Sequence, residues 1–415
     1  NKNYAPRVGV IWDPSNNGRS KLYANYGRFF ESVPLDINLR SFGGEISVQT
    51  NNLDPVAGHF TPGTVGTAAS GGVPSQGGGK AFRFLGGTTV PVDPNLKGQY
   101  INEYLAGYDY EIAPNFAVGV KGTYRDLGRV IEDMLVISEG DYFIANPGTG
   151  IGKNAGFLND DEAPANKATR KYTGVELHAT KRFSNNYQFF GSYVWSRLKG
   201  NYDGVFQVST GQLDPNINSA YDYADFAVNN DGLLSNDRTH VVKFYGSYTV
   251  GSSFAKGLEF GLATHWESGL PLTALGYEFA GYRNYEYYLT KRGALGRGPS
   301  DYEADVHVGF PINFGTSRLT LLADVFNILN RQSITNLDQR ADLSSDGRCD
   351  VFTKGGLNAA TACNGFGGFA NKPGTTEAIA SFADARAAAT NPDFLKRGVG
   401  FTGLRSIRVG ARFTF

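Results

Sequence analysis

The 415 residues carry 39 Lys+Arg against 39 Asp+Glu, so there is no net field to recruit nucleic acid or an anionic surface. Its 54 glycines, 23 tyrosines and 29 phenylalanines, beside one methionine, favour hairpins and strands over helices. No run approaches the roughly 18 apolar residues of a membrane helix, and mean hydropathy is −0.30. A helical membrane protein is excluded, whereas a β one is not, because its strands hide their hydrophobicity by alternating.

The first residues, NKNYAPRVGV, hold no initiator Met and no leader-like charged or apolar region, which predicts a mature or truncated chain. Further on, period-2 alternation predicts strands. Phe116, Val118, Val120, Gly122 and Tyr124 share one parity, against Ala117, Gly119, Lys121, Thr123 and Arg125. The same division sets Val175, Leu177 and Ala179 against Glu176, His178 and Thr180, and assigns Tyr187, Phe189, Gly191, Tyr193 and Trp195 to an oily face. It recurs for Val242, Phe244, Gly246 and Tyr248 opposite Phe260, Leu262 and Trp266, and for Val306, Val308 and Phe310 opposite Leu321, Ala323 and Val325. In the last strand Ile407, Val409, Ala411, Phe413 and Phe415 are opposed by Arg408 and Arg412.

Connector length is the second regularity. Short turns at 14–19, 113–114, 184–186, 251–257 and 311–317 alternate with long stretches at about 31–97, 138–170, 199–236, 273–301 and 330–403. A soluble sandwich has no need of such alternation. A membrane barrel has, since one rim carries tight periplasmic turns and the other long extracellular loops. The expected fold is therefore all-β, a transmembrane antiparallel β-barrel with about 11–13 strands in residues 1–415. Its outer face would meet lipid and its inner face water. An odd strand count does not close a bacterial barrel, so either front strands lie beyond this chain or the count is off by one.

Polar constellations are few. GGGK (77–80) lacks the remainder of a phosphate loop, and GALGRG (293–298) does not lead from a strand into a helix. His178, His265 and His307 fall on the inner parity and read as hydrated wall residues rather than ligands. In LDPNINSAYDYADF, Asp214, Asn216, Asn218, Asp222 and Asp225 stand at offsets 1, 3, 5, 9 and 12, the oxygen-ligand offsets of a calcium loop. Ser219 replaces the usual Gly, and a hydrated loop with Asx-turns is the other reading. GYEFAGYRNYEYY concentrates Tyr277, Phe279, Tyr282, Tyr285, Tyr287 and Tyr288 in an external loop, either as a ligand surface or as an interfacial belt or loop-on-loop packing. Cys349 and Cys363 stand close together in a polar stretch, as a disulfide or as two free thiols. An Ala-rich helix is expected at 375–389.

Several stretches, in order, carry a resemblance: APRVGVIWDP, KLYANYGRFFESVPLDINLRSFGG, QYINEYLAGYDYEI, VGVKGTYRDLGR, NDRTH, ESGLPLT, GPSDYEAD, LLADVFNILNRQ and FTGLRSIRVGARFTF. The chain resembles the C-terminal part of the barrel of TonB-dependent outer-membrane transporters, most nearly the Oar-like subgroup. That resemblance implies a 22-stranded barrel in the outer membrane of a Gram-negative bacterium, with a plug that these residues do not contain. It implies capture of a substrate by extracellular loops and import driven by a TonB-type partner, with no cofactor required. It also implies that Ile407, Val409, Ala411, Phe413 and Phe415 form the recognition signal for the barrel-assembly machinery. A passive porin or adhesin-like barrel is the alternative function. A barrel enzyme would need an acid-base pair or nucleophile whose spacing is not found.

Overall fold

The computed structural model describes residues 3–42, 46–52, 80–86, 90–136, 138, 141–156, 162–207, 215–216, 218–222, 224–227, 229–252, 255–280, 283–341, 391–396 and 398–415. Eleven long strands form one continuous antiparallel sheet in chain order. They are β1 (Arg7–Trp12), β2 (Ser20–Phe30), β3 (Tyr100–Ala113), β4 (Phe116–Arg129), β5 (Arg170–Ser184), β6 (Tyr187–Gly200), β7 (His240–Thr249), β8 (Glu259–Glu267), β9 (Asp301–Phe314), β10 (Ser317–Phe326) and β11 (Ser406–Thr414). A two-residue strand, Gly232–Leu233, adds to the far end of β6 and makes the sheet twelve-stranded.

Register confirms the alternation. Val120 is opposite Leu177, Leu177 opposite Tyr193, Tyr193 opposite Val242 and Val242 opposite Trp266. Because directly opposed residues share a face, the oily parities of successive strands merge into one continuous outer surface. Large apolar side chains stay exposed there, with Leu262 at 42 %, Phe413 at 58 % and Val409 at 77 %. In water this would be a severe liability; in a bilayer the acyl chains complete the packing, and the ladders satisfy the backbone of the strands between the two edge strands β1 and β11.

Short and long connectors alternate strictly between these strands. The tight turns use residues that tolerate positive φ: Asn185 and Asn186 at 54° and 68°, Asn115 at 65°, and Gly315 at 59°. One turn differs from expectation. The segment 311–317 is not all turn, for β9 runs on to Phe314 and Pro311 pairs with Thr320 inside the ladder. Only Gly315 and Thr316 turn the chain.

The apolar core lies in the long connectors, not in the sheet. The largest fully buried side chains include Tyr202, Phe226, Phe394, Met134, Ile144 and Leu234, all between the long strands of the sheet. Short hairpins (Glu132–Val136 with Asp141–Ala145, Leu275–Ala280 with Arg283–Tyr288) and a helix at Leu35–Phe42 build this cap. That helix lies in the 31–97 connector, where none was expected; its Ile37 is 2 % exposed and packs with Ile131 and Ile144. The sheet is one residue thick, so it has two surfaces and no interior, whereas loops that meet above it can enclose one.

Candidate functional site

Two regions collect polar chemistry: the inner face of the sheet and the cap above its long-connector end. On the inner face the charged side chains pair across strands. Lys21 on β2 lies 3.6 Å from Asp109 on β3, Asp109 bonds His178 on β5 at 3.0 Å, and Lys121 on β4 holds Glu176 on β5 at 2.8 Å. His178 reaches Asp109 across the intervening β4 because Gly119 stands there; a Cβ at that position would collide with both side chains. On the other flank Asp324 accepts from His307 at 2.6 Å and from Arg408 at 2.8 Å, and His265 lies 3.8 Å from Asp301. Thus the three inner-parity histidines all meet carboxylates.

At the rim, motif residues staple neighbouring connectors. Asp237 of NDRTH is fully buried, accepts the Leu198 N–H and pairs with Arg297. Arg297 also donates to the carbonyls of Asp237 and Gly269 at 3.0 and 2.9 Å, and Arg238 donates to the Ser268 carbonyl at 2.6 Å. Asn327 of DVFNILN plays the equivalent part at the β10 end. Its backbone N–H donates to Asp305 at 2.8 Å, while its amide donates to the carbonyls of Arg331 and Gly403 at 2.8 and 2.9 Å. With φ at 49°, Asn327 ends β10 earlier than the apolar pattern suggests.

Deeper in the cap, Asp203 and Arg292 form an ion pair at 3.0 Å with side chains 1 % and 4 % exposed. Burial opposes the Arg292 charge, but Asp203 and Tyr288 outweigh it and hold the guanidinium above its ordinary value. Glu132 is fully buried and accepts from the backbone and the amide of Asn218. Burial, reinforced by Asp133 and Asp222 nearby, pushes its carboxyl well above the usual carboxylate range. Gln99 accepts from the Ile131 N–H and the Asn216 amide, both at 3.0 Å. Around this network pack Leu127, Val130, Met134, Tyr202 and Tyr221.

The sequence candidates distribute unevenly over these regions. Asn216 and Asn218 are buried, with their amide groups committed to Gln99, the Ile131 carbonyl and Glu132, and Asp222 is fully buried. Asp214 and the Asp225 side chain lie outside the described residues, among which no three acidic, His or Cys side chains converge to hold a metal ion. Tyr277, Phe279, Tyr285 and Tyr287 fall on the paired strands 275–280 and 283–288, with Tyr277 opposite Glu286 and Tyr287 opposite Gly276. Tyr288 follows the loop-on-loop reading and not the ligand-surface one: it is 2 % exposed, its ring under the Arg292 guanidinium in the cap core. Tyr282, Cys349, Cys363 and the 375–389 segment lie outside the described residues. Ile407, Val409, Ala411 and Phe413 line the outer face of β11 in register with Val325, Ala323, Leu321 and Leu319, and Phe415 is exposed just beyond it. Sequence reasoning missed Asp203, Arg292, Glu132 and Gln99, which sit in irregular connectors where no periodicity marks a buried position. Asp237 and Asn327 carried a signal, since both lie in recognisable motifs.

Residues 1–277 match the family model described as outer membrane beta barrel domain. The TonB-dependent transporter Oar of Myxococcus xanthus is 34% identical over 81% of this chain and 32% of its own length, so the chain spans about a third of that relative. Among solved structures, the outer membrane transporter YddB from Escherichia coli is similar at 14% identity, covering 81% of this chain and 38% of that one, with a TM-score of 0.46. The siderophore receptor PiuA from Acinetobacter baumannii is similar at 8% identity over 80% and 32% of the two chains, with a TM-score of 0.44.

Proposed function

This chain belongs to the outer-membrane β-barrel family, and on that premise we propose that it serves an energised importer. Its place is the outer membrane of a Gram-negative bacterium. In this reading the eleven strands are part of the wall of a TonB-dependent receptor, the long connectors capture a substrate outside the cell, and a TonB-type partner supplies the energy for its inward passage. The observation that carries the reading is the 34% identity to a TonB-dependent transporter along 81% of the chain.

The geometry is in keeping with it. An open pore needs an unobstructed mouth, whereas here connectors from successive hairpins are knitted together by buried pairs such as Asp203–Arg292. A knitted cap offers a shaped surface that can hold a solute. No catalytic step and no cofactor enters this reading. The outer-face residues Ile407, Val409, Ala411, Phe413 and Phe415 serve in it as the signal read by the assembly machinery, supported by their exposure on the last strand.

The test is uptake in living cells with and without the energy source. A substrate recovered from the purified native protein should bind the cell surface in both conditions and accumulate only when the TonB-type partner and the proton gradient are intact. Accumulation unaffected by loss of the partner or by a protonophore would replace the importer with a passive pore.

A further inference from the structure

The outer face of β5 and β6 changes character at its long-connector end. Along β6 the outward positions run Tyr187, Phe189, Gly191, Tyr193, Trp195 and then Arg197 and Lys199, both exposed, while the inward Ser196 and Leu198 that precede them are 6 % and 8 % exposed. On β5 the matching series is Leu177, Val175, Thr173 and then exposed Lys171. Register sets Lys171 directly opposite Lys199 and Thr173 opposite Arg197. Like charges facing one another across a strand pair are destabilising unless an anion joins them. Among the described residues none of the three side chains has a hydrogen-bonded or ion-pair partner. Asp126 is in register with Lys171 on β4, yet no ion pair joins them.

Height identifies the medium. From Tyr187 to Arg197 the strand climbs roughly 25 Å at about 3.3 Å per residue and about 40° of tilt, which is the height of the apolar band of such a barrel. The three cations therefore stand where acyl chains give way to headgroups. Immediately below them the outer face is grooved. A row of small residues, Ala24, Ala106 and Gly122, runs across β2, β3 and β4 to Val175 on β5. Above that row stand Tyr26, Tyr104 and Tyr124, and the row of tyrosines ends at Thr173, next to Arg197. The resulting groove has a volume of about 670 Å³ and an almost wholly apolar lining.

We propose that Lys171, Arg197 and Lys199 bind the phosphate of a membrane lipid whose acyl chain lies in the groove floored by Ala24, Ala106 and Gly122. The lipid fits on both chemistries, anionic head against the cations and hydrocarbon against the groove, with Thr173 as the gap in the aromatic row through which the chain descends. The site belongs to the outer leaflet, whose glycolipid carries phosphate on its sugar headgroup, and it is separate from the cap and from the inner face.

The experiment uses the protein purified from outer membranes in detergent, stripped of bound lipid, and checked as folded by its heat-modifiable mobility. Three probes are titrated: bisphosphorylated lipid A, its enzymatically dephosphorylated form, and inorganic phosphate. The wild type should prefer the phosphorylated lipid, and K171Q/R197Q/K199Q should lose roughly hundredfold in affinity, from about one surface-charge contribution per residue. K199Q alone should lose several-fold and K171R/K199R should retain binding. Gly122→Val, where an added Cβ meets only ordinary contact with the Ala106 carbonyl at 3.8 Å, should weaken lipid binding and leave inorganic phosphate unchanged. Equal binding of the two lipids, or wild-type affinity in the neutralised variants, would overturn the site. So would Gly122→Val without effect on the lipid, which would reduce the patch to a bare phosphate contact.

Discussion

Asp203 and Arg292 are both withdrawn from water, so each depends on the other for its charge. Asp203→Ala would leave an uncompensated buried guanidinium, at a cost of about 3–5 kcal/mol, whereas replacing both partners with apolar residues should cost much less. Amide hydrogen exchange across 200–207 and 283–300 checks this, with faster exchange expected in the single variant. Glu132 makes a second prediction, with its sign set by burial. Its carboxyl titrates higher in the folded cap than in an unfolded chain, so its stabilising effect is complete below the ordinary carboxylate range and is lost as pH rises through the raised value. Protection factors at 130–136 and 141–146, that is exchange rates corrected for the intrinsic pH dependence of amide exchange, should fall from acid toward neutral and alkaline pH, and Glu132→Gln should flatten that dependence. A flat profile in the wild type would refute the assignment.

Strands here are defined by the two media they separate. Val409 lies midway along the outer face of β11, opposite Ala323, while Arg408 on the inner face pairs with Asp324. An arginine is therefore tolerated one residue away from a position where it should not be. Val409→Arg is expected to lower the stability of the folded barrel in lipid vesicles by about 2–4 kcal/mol, and Arg412→Lys on the opposite parity by less than 1 kcal/mol. Urea titration of vesicle-folded protein measures both, and equal effects would mean that the two faces meet the same medium. Turn chemistry acts on the same scale. Asn185 and Asn186 hold the positive φ that a two-residue hairpin requires, whereas Pro311 looked like part of a turn and proved to be a ladder residue.

For the molecule as a whole, the alternation of connectors fixes orientation. A peptide tag inserted after the exposed Asp231, in the long connector between β6 and β7, should be stained by antibody on intact cells. The same tag inserted after Asn16, in the short turn between β1 and β2, should be stained only after the outer membrane is permeabilised. The reverse pattern would invert the barrel and move the lipid site to the inner leaflet. The cap adds a second global property: its buried residues come from connectors far apart in sequence, with Asn216 donating to Gln99 and Arg292 pairing with Asp203. Because of those contacts the outer loops should respond to a perturbation together.

Periodicity and connector length determined the fold by themselves, because a wall one residue thick between oil and water imposes a period of two on each strand that crosses it. Val120, Leu177 and Trp266 could be assigned to the outer surface, and Arg408 to the inner one, from parity alone. The rim staples were half legible: NDRTH and DVFNILN were visible as motifs, but that Asp237 grips Arg297 and Asn327 grips Gly403 depended on which connectors the sheet brings together. The cap core and the lipid site were decided only by tertiary structure. Glu132, Asp203 and Arg292 follow no periodic rule, since irregular backbone imposes none. Lys171 meets Lys199 only through the register of two strands, a relation of neighbours in space that no single segment encodes.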